Sequence, residues 1–112
     1  MKVFVTGASG YVGSAVVREL ISAGHQVIGL ARSEASAKII SDAGAEVLLG
    51  NLEDLEVLKK GAAQADGIIH TAFIHDFSQY QKAGEVDRSA INAMGEVIAG
   101  TEKPLIVTSG ML

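Results

Sequence analysis

Apolar and polar positions alternate along the chain in two kinds of stretch. Short runs rich in Val, Ile and Leu, at Lys2–Thr6, Gln26–Ala31, Glu46–Gly50, Gly67–Ala72 and Leu105–Ser109, read as strands. Between them, segments of helical spacing lie at Tyr11–Ala23, Glu34–Ala43, Leu52–Gln64 and Ser78–Ile98. In the first of these, Val12, Val16, Val17, Leu20 and Ile21 fall on one face; in the last, Val86, Ala90, Ile91, Met94, Val97 and Ile98 do. Strands alternating with helices predict βαβ units, a parallel sheet and right-handed crossovers. Gly24, Gly44 and Gly100 each follow a helix, where a left-handed cap is wanted. Pro104 precedes the last strand, where a missing N–H costs little. The fold expected is α/β: a doubly wound parallel sheet of five strands, order 3-2-1-4-5, between two layers of helices. Any ligand is expected at the carboxyl ends of strands 1 and 4, where the order switches.

Composition narrows the partners. With 112 residues, 48% hydrophobic and 20% charged, the chain reads as one folded domain, residues 1–112. The apolar mass is aliphatic, as suits strands buried on both faces. A net charge of −4 argues against nucleic acid or an acidic membrane surface as the main partner. Without cysteine there is no disulfide, thiol nucleophile or thiolate metal site. No apolar run is long enough to span a membrane and no signal-peptide layout opens the chain, so a cytoplasmic protein is expected.

The chemistry gathers where the first strand meets the first helix, at Thr6-Gly7-Ala8-Ser9-Gly10-Tyr11-Val12-Gly13. Strand, glycine turn and helix together form the context of a dinucleotide-binding fingerprint. Gly7 would turn the chain tightly off the strand, Gly10 would let backbone N–H groups approach a pyrophosphate, and Gly13 would let the helix lie close. The anion would then sit on the positive end of the helix. Ser9, Tyr11 and Val12, between those glycines, are candidate contacts as well.

The end of strand 2 bears on the choice of cofactor. A carboxylate there suits NAD, and an arginine accommodates the extra phosphate of NADP. This chain reads Ala31-Arg32-Ser33, which favours NADP over NAD, with Ser33 as a further donor. Glu34, a competing carboxylate, is placed to start the second helix. After strand 3, Asn51 could bond an adenine edge or cap the third helix, and both roles stay open. Leu52 follows it. At the end of strand 4, Thr71, Ala72 and Phe73 would pass over the cofactor's central ribose and phosphates. His70, inside an apolar strand, reads as a hydrogen-bonded core histidine. His75 beside Asp76 has no third ligand at useful spacing, so no metal is expected. Ser109, ending strand 5, could hold a substrate carbonyl or hydroxyl but is no nucleophile without a base.

These residues resemble the Thr-Gly-x-x-Gly-x-x-Gly pattern of extended and atypical short-chain dehydrogenases/reductases, the NAD(P)-dependent epimerase/dehydratase group. Ala31-Arg32-Ser33, Gly50-Asn51-Leu52, His70-Thr71-Ala72 and Thr108-Ser109 continue the likeness along the chain. The resemblance implies a Rossmann fold and, in full-length members, hydride transfer at a carbonyl or alcohol. It implies Ser109 as the active-site serine. The family's catalytic pair, Tyr-x-x-x-Lys, is absent: Tyr11 is followed four residues later by Ala15, and Tyr80 by Gly84. The expectation is a dinucleotide-binding domain truncated after strand 5, lacking the C-terminal substrate-binding part and incomplete in catalysis. The alternative is a stand-alone NADP-binding or redox-sensing module. Either way strand 5 becomes an apolar edge, and self-association through it is expected.

Overall fold

The computed structural model describes residues 1–8, 11–51, 53–72 and 80–109, with side chains except at 11–12, 72, 80–87 and 107–109. The elements run β1 (Lys2–Thr6), α1 (Tyr11–Ser22), β2 (Gln26–Ala31), α2 (Glu34–Asp42), β3 (Glu46–Leu49), α3 (Leu55–Gln64), β4 (Gly67–Ala72), α4 (Tyr80–Ile98) and β5 (Leu105–Ser109). Every strand pair is parallel, and the order is β3-β2-β1-β4-β5, as the alternation predicts.

Because side chains alternate across a strand, the sheet sorts its own residues into two cores. Phe4, Ile28, Leu30 and Ile68 point to one face, where Leu58 and Ala62 of α3 and Ala90, Met94 and Ile98 of α4 cover them. Val3, Val5, Val27 and Ala31 point to the other, against Val17 of α1 and Ile40 of α2. Burial on both sides explains why the strands read as unbroken apolar runs. Gly24, Gly44 and Gly100 cap their helices at φ of 89°, 95° and 78°, in the left-handed region they were expected to adopt. Among the described residues, no helix is long and apolar enough to cross a membrane.

α1 and α2 each end one residue before the sequence reading, at Ser22 and Asp42, and two further boundaries differ. β3 stops at Leu49, before Gly50. α3 starts at Leu55 instead of Leu52, because Asn51 Oδ1 accepts the Glu53 N–H at 2.8 Å and the Asn51 carbonyl accepts the Asp54 N–H at 3.0 Å. That local turn takes the donors a first helical turn would have used. Asn51 is therefore not the helix cap; Asp54 holds that position, without a side-chain bond.

Candidate dinucleotide site at the switch point

Parallel pairing sets the carboxyl ends of β2, β1, β4 and β5 along one side of the sheet, with Thr6 opposite His70 and Ala72 opposite Ser109. The order reverses between β1 and β4, and it is above such a switch point that open α/β sheets form a ligand crevice. Gly7 turns off β1 with φ of 64°, and a Cβ on it would collide with the Thr71 hydroxyl. A Cβ on Gly13 would collide with the Gly7 carbonyl, so helix α1 rests directly on the turn. These are the tight turn and the close helix approach expected of the first and third glycines. Ser9 and Gly10 lie outside the described residues, as do the side chains of Tyr11 and Val12. The first turn of α1 carries no acidic residue, so no carboxylate of its own competes for its positive end.

At the end of β2, Ala31 is fully buried where an acid would stand. Arg32 follows, exposed and with no ion pair among the described residues. Ser33 caps α2: its hydroxyl accepts the Ser36 N–H at 3.1 Å and donates to Ser36 Oγ at 3.1 Å. The hydroxyl expected to serve a phosphate is thus occupied by the helix start, and Glu34 sits in the first turn, as expected. Asn51 is exposed, and its Oδ1 is taken by the Glu53 N–H. Leu52 and Phe73 lie outside the described residues.

Under the crevice is a polar group that the sequence did not reveal. Thr6 Oγ1 lies 2.6 Å from His70 Nδ1, with both side chains fully buried. The Thr71 N–H donates to Thr6 Oγ1 at 3.1 Å, and the Thr71 hydroxyl donates to the Thr6 carbonyl at 2.7 Å. His70 is the hydrogen-bonded core histidine its apolar surroundings suggested. Its partner stands 64 residues away in sequence. The only available hint was that Thr6 and His70 both stand near the end of an apolar strand. Thr71, expected at the cofactor, is buried and spends its hydroxyl on the Thr6 carbonyl and its N–H on Thr6 Oγ1. Ser109 comes beside Ala72 by register, with the side chains of both outside the described set. No group of three or more potential metal ligands occurs among the described residues, and His75 and Asp76 fall outside them.

Comparison with known proteins agrees with this geometry. The model of the NAD dependent epimerase/dehydratase family matches residues 3–98. An uncharacterised protein of Schizosaccharomyces pombe is 58% identical over 109 residues, covering 97% of this chain and 37% of the relative. One of Saccharomyces cerevisiae is 57% identical over 114 residues, covering 100% of this chain and 38% of the relative. The chain thus spans little more than a third of the length of these relatives. The crystal structure of yeast methylglyoxal/isovaleraldehyde reductase Gre2 with NADPH superposes with a TM-score of 0.76 at 23% identity, covering 97% of this chain and 37% of that one, which is a likeness of fold. With its family model matched over most of its length and the sheet order and glycine turn in place, the chain belongs to the NAD-dependent epimerase/dehydratase family.

Proposed function

We propose that this domain binds NADP(H) in the crevice and serves an oxidoreductase acting at a carbonyl or alcohol. The observation that carries the reading is the turn itself: Gly7 in the left-handed region and Gly13 with no room for a Cβ. Backbone so arranged suits a helix N-terminus that receives an anion. Gly7, Ser9, Gly10, Tyr11, Val12 and Gly13 would surround the pyrophosphate. Thr71, Ala72 and Phe73 would face the central ribose and phosphates, and Asn51 and Leu52 the adenine. Arg32, exposed at the end of β2 beside a buried alanine and with no ion pair among the described residues, supports NADP over NAD, since guanidinium matches a phosphate with a fork of donors. Ser33 would add a contact only by giving up its bond to Ser36.

Ser109 would hold a substrate oxygen. These 112 residues contain no Tyr-x-x-x-Lys, which favours a second reading in which they bind the nucleotide without turning it over. Both readings share one decisive experiment, calorimetric titration with NADPH and NADH of the wild type and Arg32→Ala. NADPH should bind, and the substitution should weaken it about tenfold or more while leaving NADH little changed. Equal losses for both nucleotides would take Arg32 out of the phosphate site. No binding of either would end the nucleotide reading.

A further inference from the structure

We infer that His70 is a positioning residue for the nucleotide turn, acting through Thr6 and Thr71 as a neutral imidazole whose Nδ1 accepts a hydrogen bond. The inference rests on the nucleotide reading above.

Donor and acceptor counting sets the tautomer. Thr6 Oγ1 receives the Thr71 N–H at 3.1 Å, and its own proton needs an acceptor because the hydroxyl is fully buried. The acceptor in reach is His70 Nδ1 at 2.6 Å. Nδ1 is therefore unprotonated and the ring carries its proton on Nε2. Oriented in this way, Thr6 Oγ1 fixes the backbone of β4 at Thr71. Thr71 fixes β1 in return through its hydroxyl on the Thr6 carbonyl at 2.7 Å. That same hydroxyl is the atom a Cβ on Gly7 would strike, and the Gly7 carbonyl is the atom a Cβ on Gly13 would strike. A continuous series of close contacts thus runs from the imidazole to the start of α1. It crosses between the two strands at the last pair of their parallel ladder, Thr6 and His70. The histidine touches no nucleotide; it sets the spacing of the two walls between which one would lie.

The test measures NADPH affinity in the wild type, His70→Leu and His70→Asn, together with the nitrogen chemical shifts of His70 in the wild type. Leucine has no acceptor and leaves the Thr6 proton buried and unpaired, whereas asparagine places Oδ1 at the bond distance of Nδ1 from the backbone. A folded His70→Leu should bind NADPH about tenfold more weakly, and His70→Asn should stay within about threefold of the wild type. The shifts should show Nδ1 bare and Nε2 protonated. A proton on Nδ1, a folded His70→Leu with unchanged affinity, or a folded His70→Asn that has lost binding would each overturn the inference. If His70→Leu does not fold, the asparagine variant and the tautomer decide it. Failure of the wild type to bind NADPH would overturn the nucleotide reading itself, a result distinct from wild-type binding that His70 does not influence.

Discussion

Gly13 shows how a single hydrogen atom in place of a methyl group can decide a site. Its missing Cβ is what lets α1 rest on the Gly7 carbonyl, and alanine there must push the helix away from the strand. Overpacking of this kind costs about 1–3 kcal/mol, more than the fraction of a kcal/mol alanine gains by helix propensity. Gly13→Ala should therefore lower the urea midpoint and reduce NADPH binding together. Unchanged stability with full binding would mean the helix stands off the turn. The glycines were legible because their spacing is local. The role of Ser33 was not, since a hydroxyl beside an arginine looks equally fit for a phosphate or a helix cap. Backbone geometry settled the matter, with Ser36 N–H in reach.

Two helix glycines carry opposite consequences at the scale of elements. A Cβ on Gly61 of α3 would come 2.6–2.8 Å from the ring of Phe4, which is fully buried and has nowhere to go. On Gly95 of α4 it would meet nothing within 4 Å. Gly61→Ala should destabilise by about 1–3 kcal/mol, and Gly95→Ala should stabilise by about 0.5–1 kcal/mol through helix propensity. Chemical denaturation of both variants checks the contrast; stabilisation by both would show that α3 slides freely over the sheet. The late start of α3 belongs to this scale too. Its apolar spacing extends back to Leu52, but spacing cannot show that Asn51 has already claimed the Glu53 N–H.

At the scale of the sheet, β5 is an outer strand among the described residues. β5 has no strand beyond it among the described residues, and Ile106, paired with Ile69 of β4, is 51% exposed. Unpaired N–H and C=O groups beside exposed aliphatic surface make a template for another chain. We propose that these 112 residues self-associate through that edge. Sedimentation at micromolar concentration should show a dimer or larger species, reduced by Ile106→Lys, which puts a charge on the edge. A wild-type monomer at that concentration would remove the proposal. At the opposite edge, β3 carries Glu46, ion-paired with Lys2 at 3.4 Å, beside exposed Val47 and Leu49, so that edge is apolar in part as well.

What the sequence determined by itself were the features written in neighbouring residues. Apolar runs of strand length, helical periodicity and glycines at turn and cap positions are set by interactions within a few residues. Chain chirality then leaves few ways to wind such units, so the sheet order followed. Tertiary structure alone decided which buried polar groups meet. Thr6 and His70 are 64 positions apart, and nothing local marks them as partners until parallel register brings the ends of β1 and β4 side by side. A buried hydroxyl must find an acceptor wherever the fold supplies one, and that constraint acts only once the chain has closed.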